Sequence, residues 1–263
     1  MVIVDRDLCI GCGICAADCV GKKIKIEDGT AVIKNPCIQC GHCIAVCPQQ
    51  AISIPEYDME DIEPASSLEM EFTDPDIFLH GIKSKRSIRN YKADKIDDSI
   101  LEKITQAGRY TATAKNSQDL TFAFVSKDIE HFKDMVWTEL EDLVEGTAFS
   151  EKQAANFKAS VMIRKKDRNN DFLFYNAPAV LFISSSYYPL DAGLAAKNME
   201  LMAQLFGLGA MYNGYLAKII TKSTVCRSWL GISGEVQACM LLGYPDVNYL
   251  RTAPRAKAKV IYK

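Results

Sequence analysis

The chain opens with a cysteine-rich run, Cys9-Ile-Gly-Cys12-Gly-Ile-Cys15-Ala-Ala-Asp-Cys19, which returns 28 residues later as Cys37-Ile-Gln-Cys40-Gly-His-Cys43-Ile-Ala-Val-Cys47. These two runs hold eight of the ten cysteines. In a small secreted protein so many cysteines would indicate disulfides, but regular spacing in a long chain without a secretion signal indicates metal binding. Zinc and buried free thiols are the rival interpretations. Zinc usually takes four ligands in two separated pairs, not two copies of a four-cysteine run.

The spacing within each run is that of iron–sulfur ligands. It follows the C-x2-C-x2-C-x3-C run of bacterial ferredoxins, in which the fourth cysteine binds the other cluster. This rule pairs Cys9, Cys12 and Cys15 with Cys47, and Cys37, Cys40 and Cys43 with Cys19, to hold two 4Fe-4S clusters. Pro48 follows the second run, whereas Val20 follows the first. Residues 1–55 resemble a bacterial-type two-cluster ferredoxin, a family that transfers single electrons.

Composition restricts the remaining possibilities. The 263 residues are 48% hydrophobic and 24% charged, which suits two modest globular domains. A formal net charge of -2 provides no basic field for nucleic acid or an anionic membrane. The first cysteine at position 9 leaves no room for a signal peptide, and no stretch of about 18 apolar residues occurs. We therefore expect a cytoplasmic protein with neither nucleic acid nor membrane as a partner.

The chain then changes character twice. Short alternating runs at 24–26 and 51–54 each predict one strand of a small sheet in the ferredoxin domain. Residues 56–75 are acidic and rich in serine and proline, which predicts an interdomain linker. Residues 76–263 form a second domain of ordinary size.

Helical and extended patterns mix within this second domain. Residues 100–107, 129–143 and 191–206 show helical spacing, whereas 121–125 and 177–183 predict strands and 235–242 another apolar element. A polar, basic stretch ending near Asn170 is expected to be a mobile excursion. The mixture predicts an α+β sandwich that follows the small ferredoxin-like domain.

A second group of residues suits an anionic, electron-rich ligand. Lys83–Tyr91, here called the basic segment, carries four cations together with the hydroxyl of Ser87. Taken alone, this composition also fits a solvated helix start. Gly207-Leu-Gly209 lacks the third glycine of a dinucleotide-binding fingerprint and follows a helical pattern, so a Rossmann site is discounted.

The order of four motifs extends the argument. The basic segment is followed by Thr111–Gln118, Gly207–Gly214 and a C-terminal stretch from Leu242 to Arg255. With these motifs residues 76–263 resemble the FMN-dependent nitroreductase family, which implies an FMN site and an intertwined homodimer. The positions that match the family's FMN contacts are Lys85, Arg86, Ser87, Arg89, Asn116, Asn213, Gly214 and Arg255, and Arg251 is an alternative for the C-terminal phosphate contact. Lys85 stands where arginine is usual, and Asp119-Leu120 replaces a proline-aromatic pair.

The two resemblances together predict an oxidoreductase. Electrons would pass from a low-potential donor such as ferredoxin through the clusters to FMN, and on to a nitroaromatic, an activated alkene or another electron-poor acceptor. Two alternatives stay open: a relay module that docks to a larger redox enzyme, and direct reduction of the flavin by NAD(P)H. No side chain is assigned a catalytic role, and Cys226 and Cys239 are interpreted as packing residues.

Overall fold

The computed structural model describes residues 1–64 and 74–263. The chain divides into two compact units, Met1–Phe72 with Thr113–Ser117, and Thr73–Ala112 with Gln118–Lys263. The linker expected at 56–75 lies partly outside the described residues, and its boundaries stay a prediction. None of the helices in the described part of the chain has the length and apolar character needed to cross a membrane.

The first unit is built from two small antiparallel pairs of strands. Strand β1 (Ile3–Val4) pairs with β4 (Ile52–Ser53), and β2 (Ile24–Glu27) pairs with β3 (Thr30–Ile33). The β2–β3 turn is Asp28-Gly29, with both φ angles positive (48° and 77°), as a tight two-residue hairpin requires. The strands predicted at 24–26 and 51–54 are thereby confirmed.

Each cysteine run contributes one short helix to this unit. Helix α1 (Ile14–Asp18) follows Gly13 and α2 (His42–Ala45) follows Gly41, and these glycines have φ angles of 79° and 78°. The left-handed conformation favours glycine at both positions. The sequence repeat is therefore also a repeat of backbone geometry.

The second unit contains a four-stranded antiparallel sheet in the order β5-β6-β8-β7. Its strands are β5 (Thr121–Val125), β6 (Ala179–Ser185), β7 (Gly209–Tyr212) and β8 (Glu235–Gly243). Every residue of β6 is buried. A strand buried on both sides reads as a continuous apolar run, which is why its extended character could be recognised from the sequence.

Helices cover both faces of this sheet. Helices α4 (Asp98–Arg109) and α7 (Pro189–Leu205) pack on one face, and α5 (Ile129–Glu145), α6 (Glu151–Lys166), α8 (Gly214–Lys222) and α9 (Thr224–Leu230) on the other. Helix α3 (Pro75–Ser84) precedes the sandwich. The α+β architecture is as expected, but the polar stretch expected to be a mobile excursion is largely α6. A capping box joins Ser150 to Gln153 at its start, and α6 buries Phe157 and Val161.

Candidate functional site

One cavity of the first unit is lined by Cys9, Cys12, Cys15 and Cys47. These are the four cysteines that the ferredoxin rule assigns to one cluster, so the fold brings together residues up to 38 positions apart. Burial raises the pKa of the Cys15 thiol, and the neighbouring Cys12 and Cys47 raise it further. Grouped thiolates need bound cations to stay deprotonated, which fits an iron–sulfur cluster.

The second set is assembled around Cys43. Burial raises the pKa of its thiol to about 11, and the charges of Cys37 and Cys40 contribute to this increase. Cys19 as the fourth ligand of this set stays a prediction. Within residues 1–64 and 74–263, no group of three or more His, Cys, Asp or Glu side chains is placed to hold a single metal ion.

Backbone amides donate hydrogen bonds to sulfur atoms of both cysteine runs. Ala31 donates to Cys9 Sγ at 3.4 Å and Gln39 to Cys37 Sγ at 3.4 Å. The other two pairs are related by the repeat, with a donor four residues after its cysteine: Lys23 to Cys19 and Ala51 to Cys47, both at 3.3 Å. Hydrogen bonds to sulfur are one of the factors that set the potential of an iron–sulfur cluster.

In the second unit, the basic segment lies along the edge strand β7. Ser87 forms a parallel bridge with Ala210, and the Ile88 amide donates to Ala210 O at 3.1 Å. The hydroxyl of Tyr91 donates to Ile88 O at 2.8 Å. A Cβ added to Gly209 would lie 2.3 Å from Ile88 Cγ1, so a glycine is needed for this close approach.

The cations of the basic segment have different partners. Lys85 forms an ion pair with Glu200, which is only 2% exposed and also binds Lys197 at 3.1 Å. Arg86 donates through Nη1 to the carbonyls of Lys83 and Lys85. Its Nη2 is buried and has no hydrogen-bond partner among the described residues. A buried guanidinium nitrogen in this state matches the oxygen of an anionic ligand such as a phosphate.

Arg89 and Gly214 line separate clefts. Arg89, which is exposed, borders a cleft of about 550 Å³ that Asp171 and Tyr175 also line. Gly214 borders a cleft of about 450 Å³ beside Phe149. No atom would lie within 4 Å of a Cβ added to Gly214, so its backbone is accessible to a ligand. Both volumes are in the usual range of small-molecule sites.

The side chain of Asn213 is occupied by the protein itself. Its Nδ2 donates to Leu173 O at 2.7 Å, and its Oδ1 caps α8 by accepting from the Leu216 amide at 2.9 Å. The family resemblance places the backbone of Asn213 beside the flavin, and the side chain of Asn213 holds this backbone in place. The turn at 213–214 is rigidly placed at the start of α8.

Two predicted FMN contacts lie elsewhere. Asn116 belongs to the first unit, where its Nδ2 donates to Ile38 O and Gln39 O, both at 3.0 Å. Arg255 lies in the exposed C-terminal stretch and donates to Pro254 O at 3.3 Å. A flavin contact for either residue stays a prediction.

Residues 82–244 match the family model described as the nitroreductase family. The chain belongs to the nitroreductase family. It is an oxidoreductase. Residues 1–48 match the model of a 4Fe-4S dicluster domain.

Solved structures agree with this assignment at the level of the fold. The nitroreductase with bound FMN from Bacteroides fragilis NCTC 9343 is 22% identical, over 72% of this chain and 98% of its own, with a TM-score of 0.57. An FMN-dependent nitroreductase from Clostridium difficile R20291 is 22% identical, over 70% and 97%, with a TM-score of 0.53. A nitroreductase with bound FMN from Desulfitobacterium hafniense DCB-2 is 18% identical, over 70% and 96%, with a TM-score of 0.55. Among curated proteins, none matches the chain.

Sequence reasoning missed Glu200 as a partner of this nitroreductase's basic segment. Glu200 lies on α7 among buried apolar residues, and its carboxylate also helps burial to raise the pKa of Tyr212. The available signal was an isolated acid within an apolar helical pattern, since a buried carboxylate needs a cation. Its partner Lys85 lies 115 residues away, which the helical pattern does not reveal.

Proposed function

We propose that this nitroreductase is an iron–sulfur flavoprotein that passes electrons from two 4Fe-4S clusters to FMN and on to an electron-poor organic acceptor, such as a nitroaromatic or an activated alkene. The observation that carries the proposal is the cavity lined by Cys9, Cys12, Cys15 and Cys47 in a chain whose other unit has the nitroreductase fold. One part supplies a site for single-electron carriers. The other belongs to an oxidoreductase family.

The two cysteine sets would hold the clusters. The first set surrounds one cavity, and the second includes the mutually close Cys37, Cys40 and Cys43, with Cys19 proposed as its fourth member. Amide donors to Cys9, Cys19, Cys37 and Cys47 would stabilise the added negative charge of a reduced cluster.

The basic segment and the turn at 213–214 would hold FMN. The buried Nη2 of Arg86 supplies an unpaired donor, and structures from Bacteroides fragilis and Desulfitobacterium hafniense contain bound FMN. The full proposed set is Lys85, Arg86, Ser87, Arg89, Asn116, Asn213, Gly214 and Arg255. When bound, FMN supplies exchange of either one or two electrons, which connects single-electron carriers with two-electron acceptors.

The protein's own residues would position and polarise this site. The cations Arg86 and Arg89 stabilise negative charge on a nearby ligand. Stabilisation of this kind requires no acidic side chain to donate a proton. The cleft beside Gly214 provides space for an acceptor, and this favours a substrate reductase over a relay module. We propose ferredoxin or another low-potential protein as the electron donor.

We also propose a cytoplasmic homodimer. The C-terminal stretch leaves large apolar side chains in contact with solvent: Leu250 is 85% exposed, Ile261 83% and Tyr262 92%. Burial of such side chains against a partner would be favourable, because it removes apolar surface from water. A second copy of the chain is the occupant that the family resemblance implies.

An anaerobic stopped-flow experiment tests the proposed electron flow. The purified protein is first assayed for FMN and for about eight irons per chain, four for each cluster. It is then mixed with reduced ferredoxin or with NAD(P)H while cluster and flavin absorbance are followed separately. We expect ferredoxin to reduce the clusters before the flavin, and subsequent addition of a nitroaromatic to reoxidise both.

The other outcomes are equally informative. Clearly fewer irons would refute the two-cluster assignment. If NAD(P)H bleaches the flavin before the clusters, electrons flow in the opposite direction, from the flavin to the clusters. If the reduced protein transfers electrons only to a partner protein, the chain is a relay module without a substrate of its own. An Arg86→Ala variant should lose FMN while keeping its iron, whereas the exposed Lys83→Ala should keep both.

A further inference from the structure

The residue pair Ile38-Gln39 in the second cysteine run is held by a distant side chain. Asn116 Nδ2 lies 3.0 Å from Ile38 O, 3.0 Å from Gln39 O and 3.2 Å from the Tyr57 hydroxyl. In sequence Asn116 lies between α4 and β5 of the second unit, yet Thr113–Ser117 is part of the first. The side chain that the family resemblance assigns to the flavin is thus directed at the cysteine run.

The contact continues to a cluster ligand through one peptide group. Ile38 C=O and Gln39 N–H belong to the same peptide, and this N–H donates to Cys37 Sγ at 3.4 Å. A donor at the carbonyl end of a peptide polarises it and strengthens the hydrogen bond made by its N–H, by about 10–30%. Asn116, the 38–39 peptide and Cys37 Sγ therefore form one chain of hydrogen bonds.

The first cysteine run is supported differently. Its residue equivalent to Gln39 is Gly11, and both have left-handed φ angles, 52° and 65° respectively. A Cβ on Gly11 would lie 2.4 Å from Gly29 O, so this run packs directly against the β2–β3 turn. Cys9 takes its hydrogen bond from Ala31 of β3 rather than from its own run. Two runs with the same ligand spacing thus have different neighbours.

We infer that Asn116 is a positioning residue for the cluster held by Cys37, Cys40 and Cys43, and that it raises the reduction potential of this cluster through the 38–39 peptide. The inference rests on the proposed presence of two clusters. Reduction adds negative charge to the sulfur atoms, so a stronger N–H···S bond stabilises the reduced state. The other cluster has no such connection to Asn116 among the described contacts.

Redox titration of the Asn116→Gly variant tests this inference. Glycine accepts the left-handed φ of 55° and adds no charge, so the variant removes the side-chain donor without straining the backbone. The full-length holoprotein is titrated anaerobically with dithionite and followed by electron paramagnetic resonance. Cys12→Ser and Cys40→Ser variants, which each perturb one cluster, assign the signals.

We expect the second cluster to become harder to reduce. The equilibrium constant for its reduction should fall about threefold, which lowers the reduction potential by roughly 30 mV for a one-electron couple. The first cluster should keep its potential. Tyr57→Phe is the matched control, because it removes the third acceptor of Asn116 but leaves both carbonyl contacts, and it should shift neither potential. Selective loss of about four irons from the second set would also support a positioning role.

Three results separate the inference from the proposed function. If the wild-type protein shows no pair of clusters, the proposed function itself fails. Two intact clusters with unchanged potentials in Asn116→Gly would overturn the inference alone. Equal shifts of both clusters would also overturn it, because they would indicate general loosening of the unit.

Discussion

Replacing Gly209 with alanine tests whether the basic segment must lie directly against β7. The new Cβ would lie 2.3 Å from Ile88 Cγ1, 2.9 Å from Ile88 Cβ and 3.0 Å from Pro245 Cγ. Carbon atoms in contact prefer separations of about 3.5–4.0 Å, so Ile88 has to move by roughly 1 Å. Overpacking of this kind destabilises a protein by about 1–3 kcal/mol.

The displacement should also reach the ligand. Ile88 lies between Ser87 and Arg89, both proposed FMN contacts, and a loss of about 1–3 kcal/mol in binding would raise the Kd for FMN by about 5-fold to 150-fold. Urea unfolding measures the first effect, and quenching of FMN fluorescence during titration of the apoprotein measures the second.

A matched alanine substitution controls for the change of residue type. Gly193 lies on α7, and a Cβ added there would meet no atom within 4 Å. Gly193→Ala should therefore leave FMN binding unchanged and increase stability by up to about 1 kcal/mol. The Gly209→Ala effect should be partly relieved by Ile88→Ala, so that the double variant is less destabilised than the sum of the single ones. Wild-type stability and FMN affinity in Gly209→Ala would refute the reasoning.

Three further outcomes are expected. Gly11→Ala should lose iron readily, because alanine adds left-handed strain of about 1–2 kcal/mol and also the 2.4 Å contact with Gly29 O. Gly29→Ala adds only the strain, so it should keep more iron; the iron content of both variants is measured after anaerobic purification. Burial raises the pKa of Tyr91, so the unfolded state loses its proton first and stability should fall above about pH 10; urea unfolding should show a smaller fall in Tyr91→Phe. Lys85→Met should destabilise by about 1–3 kcal/mol in urea unfolding, because the buried Glu200 carboxylate then keeps only Lys197 as an ion-pair partner, and an unchanged midpoint would contradict this.

Elements whose signal is local were predictable from the sequence. Helix α5 shows an apolar stripe that includes Phe132, Val136 and Leu140, and all three are fully buried. Strand β6 is apolar over residues 179–183 because helices cover both sheet faces. In each case the burial pattern repeats within one element, so no knowledge of its neighbours is needed.

Helix α6 shows where this reasoning fails. Its 16 residues bury only Phe157 and Val161, so hardly any apolar periodicity marks it as a helix. The informative signal was at its start, where Ser150 and Gln153 form a capping box. A helix with a narrow buried face is better recognised by its cap than by its periodicity.

Site residues follow the same division. The cysteine spacing is local, and the ferredoxin rule assigns Cys47 to the first run, whose cavity Cys47 also lines. The partner of Lys85 could not be found in this way, because ion pairs form between distant segments and leave no periodic trace. The sequence predicts Asn213 as a site residue through its backbone, but its side-chain role as the cap of α8 depends on Leu216 and on the distant Leu173.

The two cysteine runs show why a sequence repeat need not produce two equivalent sites. Their ligand spacing, the glycine before each helix and the amides that serve Cys19 and Cys47 are all repeated. The equivalent residues Gly11 and Gln39 differ in their packing. Gly11 packs against the β2–β3 turn, whereas Gln39 O accepts a hydrogen bond from Asn116 Nδ2. Because the potential of a cluster depends on hydrogen bonds and charges around its sulfur atoms, equal ligands in unequal surroundings give unequal potentials. If the chain holds the two proposed clusters, we expect any difference between their potentials to come from residues outside the repeat.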